Sequence, residues 1–206
     1  MELSNFINAL TCLVMSYFLG SLPSGYIAGK WASGIDLREM GSGSTGATNV
    51  LRHVGKRAAL AVFLVDVSKG IVSIIIARHL LLDDSLQVAA GIAALTGHIW
   101  PVWLKWKGGK AVATGLGVFL GISWQVGLAS LGIFLTVLST TRIVSLSSVC
   151  AASALPLLMF LSFQQGAFSM AYLFVSIVAM ILVLWRHRAN IERLLKGKEP
   201  RIGQKG

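Results

Sequence analysis

The sequence is short of charge, and of acid most of all. Only 13% of its 206 residues are charged, and Asp and Glu together number 8. A soluble domain carries about a quarter charged residues, so this chain cannot be covered in the ordinary way for water. Cysteine is scarce as well. Cys12 and Cys150 both sit in apolar stretches; two such thiols give no metal-ligand spacing and say little about redox compartment. Basic residues are missing from the first stretch: Glu2 stands at the start and the first cation is Lys30. A cleavable signal peptide needs a positive beginning, so the first apolar segment is expected to stay as an anchor.

What fills the chain instead is apolar. The hydrophobic fraction is 55% and the mean hydropathy +0.74. Leu3 to Gly29, Ser85 to Leu104, Ala111 to Thr141 and Ile143 to Trp185 contain no charged residue. A bilayer core needs about 20 apolar residues of helix, and these blocks meet that length. The net charge of +10 would suggest nucleic acid in a soluble protein. Here no basic, aromatic-rich soluble domain remains once the helices are assigned, so nucleic acid is not an expected partner. Lys and Arg read instead as topology signals at helix ends.

Spans are expected at roughly 5–27, 58–82 and 86–104. Residues 111–141 are long for one helix and short for two; 143–185 reads as two, with Gln164-Gln165-Gly166 near its middle. Parity decides the ambiguous block. One span at 111–141 would place the basic tail (Arg186, Arg188, Arg193, Lys196, Lys198, Arg201, Lys205) opposite the basic loop from Lys30 to Arg57. Two short spans breaking near Gly121-Ile122-Ser123 put every basic cluster on one side, as the positive-inside bias requires. The expected fold is therefore all-α: a single polytopic membrane domain over residues 1–206 with seven transmembrane helices, N-terminus outside and C-terminus cytosolic. Glu2, Arg78, Asp83 and Asp84 then lie toward the outer face.

Three cytosolic segments have the composition of a site. In Gly41-Ser42-Gly43-Ser44-Thr45-Gly46-Ala47-Thr48-Asn49-Val50-Leu51-Arg52, glycines let the backbone turn toward an anion. Ser42, Ser44, Thr48 and Asn49 add short hydrogen-bonding arms, and Arg52 adds bidentate phosphate geometry. By composition alone this is as readily a flexible linker or a packing surface. Gly108-Gly109-Lys110, opening the next helix, offers amides and an ammonium to a phosphate, or is an ordinary positive-inside cluster. His187 and Asn190 lie three apart, hence on one helix face, in a tail that also reads as a basic strip on anionic lipid. Ser145, Ser147 and Ser148 beside Arg142 can reach the same end. His98, ahead of Trp100-Pro101, reads as structural, and Asp66 with Lys69 as an intramembrane pair.

Taken together, these segments resemble the bacterial membrane acyl-phosphate:glycerol-3-phosphate acyltransferases, the PlsY family. The resemblance runs from Gly20-Ser21-Leu22-Pro23-Ser24-Gly25-Tyr26 to Arg201-Ile202-Gly203. It is carried by Gly41 to Arg52, by Gly97-His98 with Pro101, by Gly108-Gly109-Lys110 with Val112-Ala113-Thr114, and by Arg186-His187-Arg188 with Asn190 and Ile191. The chain departs from the family pattern twice: Ser44 stands where the family has Asn, and Ala111 where it has Gly. An alanine at 111 is harmless in a helix and costly at positive φ.

The resemblance implies transfer of a fatty acyl group from acyl phosphate to the 1-hydroxyl of glycerol 3-phosphate, giving lysophosphatidate and phosphate, with no cofactor or metal. It implies a place in the bacterial cytoplasmic membrane, a site on the cytosolic face, membrane lipid around it, and a partner in the soluble enzyme that makes acyl phosphate. Lys110, His187, Asn190 and Arg52 are the expected catalytic residues. Ser42, Gly43, Ser44, Thr48, Asn49, Gly108, Gly109 and Ser147 are the expected substrate contacts. The proton of the attacking hydroxyl goes to His187 or to a substrate phosphate; the residues do not choose. The rival reading, a small anion transporter, expects an aqueous path lined by Asp66, Lys69 and Arg78.

Overall fold

The computed structural model describes residues 3–166 and 169–203; Glu2 and Lys205, which entered the orientation argument, lie outside the described residues. Among the described residues the fold is all-helical, without strands. The first expected span is two helices, α1 (Leu3–Ser21) and α2 (Ser24–Ser33). The break falls at Leu22-Pro23, because proline lacks an N–H and pushes its predecessor out of the helical region. Next come α3 (Ala47–His53), α4 (Lys56–His79) and α5 (Asp84–Ile99). α5 stops short of the expected residue 104, since Trp100 precedes Pro101. α6 (Val112–Ile122) and α7 (Trp124–Thr141) meet at Ser123. Ser123 has an extended backbone and caps α7 by accepting from the Val126 N–H, so the break expected near residues 121–123 is there. α8 (Val144–Gln164), α9 (Met170–Arg186) and α10 (Arg188–Leu195) complete the chain.

Each of the seven expected spans contains a helix, but not all have spanning length. Leu3–Ser33, α4, α7 and α8 are long and apolar enough to cross a membrane; α9 passes that test only when counted with α10, from which it is bent by 63°. α5 and α6 are shorter.

Between helices in lipid there is little hydrophobic drive, and close packing of small residues takes its place. Two crossings show this. A Cβ on Gly70 of α4 would strike the Thr114 carbonyl, and one on Gly117 of α6 would strike that of Val67. Likewise α1 and α5 approach through Gly20 and Gly97, whose Cβ positions are taken by the Ala94 and Tyr17 carbonyls. Ile74, Leu95, Ile99, Phe119, Val126, Met159 and Val175 pack into the main core between α4, α5, α6, α7, α8 and α9. Apolar side chains such as Leu64, Ile75, Leu135, Leu157 and Phe174 point outward, as a lipid-facing surface requires.

One ion pair lies inside the packed helices. Asp66 Oδ1 and Lys69 Nζ are 2.6 Å apart and almost completely buried. Ser24 donates to the same carboxylate at 2.6 Å, and Lys69 donates to the Leu22 carbonyl at 2.6 Å. The pair thus holds the break between α1 and α2 against α4. Arg78, which the transporter reading placed on the same path, donates instead to the Ile122 carbonyl at 2.9 Å, capping the end of α6.

Candidate functional site

The loop between α2 and α3 is folded around one side chain. Asn49, buried at the start of α3, donates from Nδ2 to the carbonyls of Leu37, Met40 and Ser44 at 3.0, 3.0 and 2.9 Å. Its Oδ1 accepts from the Ser42 N–H at 3.5 Å. Two hydrogens shared among three carbonyls wrap the loop into a closed turn, and Gly41 and Gly43 supply the positive φ the wrapping needs. Asn49 was expected to touch substrate; its polar atoms are spent shaping the loop. Arg38 is engaged elsewhere, 2.6 Å from Asp36. That guanidinium holds the Asp36 carboxyl down at about 2.

The turn before α6 differs from expectation in a similar way. The Gly108 N–H donates to the Ile99 carbonyl and the Gly109 N–H to that of His98, both at 3.1 Å. Their carbonyls accept from Arg186 at 3.3 and 3.1 Å. These two amides, expected to hold phosphate, are already paired, and the glycines clasp the end of α9 instead. Lys110 emerges next, and its Nζ donates to Asn190 Oδ1 at 2.5 Å. Burial pushes the Lys110 ammonium down to about 8, against the opposing pull of Glu199. Ala111 sits at φ 58°, the costly case for an alanine.

His187 occupies the bend between α9 and α10. Its Nδ1 lies 2.8 Å from the Val183 carbonyl. A carbonyl only accepts, so the proton is assigned to Nδ1 and Nε2 keeps its lone pair. Burial, with Lys110 adding to it, lowers the imidazole to about 4, so the ring is neutral at pH 7. Asn190, in the first turn of α10, passes its own Nδ2 hydrogen to Glu199 Oε1 at 2.6 Å. Ser145 donates to the same oxygen at 2.7 Å, and Arg193 to Oε2 at 2.7 Å. Burial would raise the Glu199 carboxyl, but these three donors outweigh it and hold the group below its ordinary value. Neither Glu199 nor Arg193 was picked out from the sequence; an acid within a basic tail, Lys198-Glu199-Pro200, was the available signal.

Two cavities meet here. The first, of about 430 Å³, has a polar mouth of Ser42, Ser44, Thr48, Arg52, Lys110, His187, Asn190, Ser145, Ser148 and Glu199. It continues into the helices between Phe119, Leu131, Phe134, Leu155 and Leu182. The second, of about 300 Å³, lies against Gly41, Gly43, Arg186, Arg188 and Arg193. Ser42, Ser44, Lys110 and Asn190 line both. The structure therefore brings together Lys110, His187, Asn190, Arg52, Ser42, Gly43, Ser44, Thr48 and Asn49. It leaves out Ser147, whose hydroxyl is buried and bonded to the Ile143 carbonyl at 2.9 Å; Ser145 and Ser148 take its place.

A family model described as glycerol-3-phosphate acyltransferase matches residues 10–197. The chain belongs to the glycerol-3-phosphate acyltransferase family. It is 70% identical over 204 residues to the glycerol-3-phosphate acyltransferase of Prochlorococcus marinus strain MIT 9211, covering 99% of each chain. It is 64% identical over 200 residues to the enzyme of that name from a Synechococcus, covering 97% of this chain and 98% of the other. Among solved structures it is similar to the glycerol 3-phosphate form of PlsY (YgiH), an integral membrane glycerol 3-phosphate acyltransferase. That likeness has a TM-score of 0.89 at 39% identity, over 95% of this chain and 96% of that one. The lysophosphatidic acid form of PlsY matches with a TM-score of 0.86 and 38% identity, over 95% of each chain.

Proposed function

We propose that this chain transfers a fatty acyl group from acyl phosphate to the 1-hydroxyl of glycerol 3-phosphate, releasing lysophosphatidate and phosphate. One observation carries the reading: a cationic polar mouth opens on one side into an apolar cavity and on the other into a mainly polar one, with Lys110 in the wall of both. An acyl phosphate is an anion with an apolar tail and fits the first cavity. Glycerol 3-phosphate has no tail and fits the second, among Arg186, Arg188 and Arg193.

In the reaction the hydroxyl oxygen bonds to the acyl carbon and the bond from that carbon to the phosphate oxygen breaks. Acyl phosphate is a mixed anhydride with a good leaving group, so the protein mainly orients the reactants and stabilises charge. Lys110, fixed by Asn190, and Arg52 offset the charge on the donor phosphate. His187 Nε2, with its lone pair, is one candidate to take the hydroxyl proton, and a substrate phosphate is the other. Neither cysteine is at the mouth and no serine there sits in a G-x-S-x-G elbow, so the proposed attack is direct, without an acyl-enzyme. Ser42 and Thr48 supply further donors. Membrane placement follows from the same charges: seven spans, N-terminus outside, C-terminus and site on the cytosolic face of the bacterial cytoplasmic membrane. The donor then comes from a soluble enzyme on that face.

The test is product formation by the purified chain in detergent, with glycerol 3-phosphate and either acyl phosphate or acyl-CoA. Lysophosphatidate from acyl phosphate alone supports the proposal. Product from acyl-CoA alone overturns the donor, and product from neither, in folded protein, overturns the activity.

A further inference from the structure

We infer that His98 is a positioning residue for Lys110, holding the ammonium at the junction of the two cavities through contacts on both sides of it in the chain. The inference rests on the reading of Lys110 as a substrate ligand.

Three contacts converge on His98 at the C-terminal end of α5. Ahead of Lys110, the His98 carbonyl accepts from the Gly109 N–H at 3.1 Å. The imidazole also packs on Gly109 itself: a Cβ there would land on Nε2. Beyond Lys110, one turn into α6, the Thr114 hydroxyl and His98 Nδ1 share a hydrogen bond of 3.1 Å. Thr114 is fully buried and His98 nearly so. Residues 109 and 114 thus both rest on one ring, and Lys110 with Ala111 forms the arch between them.

The ring also sits beside a buried polar cluster: its Nδ1 lies 3.9 Å from Asp66 Oδ1, the oxygen that takes Ser24 and Lys69. That distance is beyond a hydrogen bond, so Thr114 of α6 is the ring's polar partner. The arch needs such support. Lys105, Trp106 and Ala111 all adopt positive φ, a conformation that disfavours side chains and persists where its surroundings fix it. A structural role for His98 alone would give stability; this geometry gives placement of one charge.

The test uses the full chain, purified in detergent, with acyl phosphate and glycerol 3-phosphate. Initial rates and melting are measured for Thr114→Val, Thr114→Ser, His98→Ala, Lys110→Gln and the His98→Ala/Lys110→Gln double variant. Thr114→Val removes one hydroxyl at constant volume and carries the test if His98→Ala does not fold. The expected results are an about tenfold loss of kcat/KM in Thr114→Val, near-complete recovery in Thr114→Ser, and a larger loss in His98→Ala, of about 10²-fold. In the double variant the His98 change adds less than about twofold to the Lys110 loss, because it acts through that side chain. Independent, additive losses, or a wild-type rate in Thr114→Val, overturn the inference while Lys110 keeps its role. A wild-type rate in Lys110→Gln overturns the reading of Lys110 and the inference with it.

Discussion

Lys69 and Lys110 are the same side chain put to opposite uses. Lys69 spends its ammonium on three oxygens, Leu22 O, Ser24 Oγ and Asp66 Oδ1, which saturates its three donors, and it is 3% exposed. Lys110 is partly exposed; among the described residues Asn190 Oδ1 is the acceptor of its Nζ, and the remaining donors belong to the cavities it lines. Saturation makes a cation structural. Incomplete saturation beside a cavity leaves it donors for a ligand, which is the role proposed for Lys110.

The contrast breaks if the two lysines respond alike to removal. Lys110→Ala is expected to lower kcat/KM by about 10²–10³-fold, the scale of one lost charge-stabilising donor, with its melting temperature unchanged. Lys69→Met leaves Asp66 buried without its partner, which costs about 3–5 kcal/mol, and is expected to melt well below the parent in detergent. A stable Lys69→Met protein, or an unstable Lys110→Ala protein, contradicts the comparison. His187→Ala should lower kcat by about 10²-fold or more if the imidazole takes the proton. A loss of a few fold assigns that proton to a substrate phosphate.

The pH profile sharpens the same picture. His187 is lowered to about 4, so as pH falls through 4 its Nε2 gains a proton and activity drops. Lys110 is lowered to about 8, so as pH rises through 8 the ammonium loses its proton and activity drops again. A bell in kcat/KM between these limbs is expected. Glu199 pulls the Lys110 value upward, so Glu199→Gln should shift the alkaline limb to lower pH. An unmoved limb would assign it to another group. The smallest expected effect is at Ala111. Replacing an alanine at φ 58° by glycine relieves about 1 kcal/mol of backbone strain, so Ala111→Gly should raise the melting temperature.

What could be read from the sequence was what depends on neighbours along the chain. The loop of small residues and the pairing of Asp66 with Lys69 follow from local spacing, and the break near Ser123 follows from parity, since it places the basic loop and the basic tail on one side. Lys110, His187 and Asn190 were visible because unusual residues cluster at helix ends. What the sequence left hidden were contacts made when the chain folds. Gly108 and Gly109 look like free amides until α5 and α9 supply their partners. Ser147 and Ser145 are equivalent in composition, and the rotation of α8 against Glu199 separates them, leaving Ser145 and Ser148 on one face. Asn49 resembles a ligand-binding side chain, yet its acceptors lie 5, 9 and 12 residues away. Glu199 gains its meaning when the tail folds back 54 residues to Ser145.

The shared wall between the cavities has a consequence for turnover. On the proposed reading, lysophosphatidate keeps its tail where the donor lay and its phosphate where the acceptor lay, so the product is a natural bisubstrate ligand. Such a molecule competes with both reactants at once and must release two grips to leave, one of them sideways into the lipid. Product release, on that reading, is a step the membrane shares with the protein.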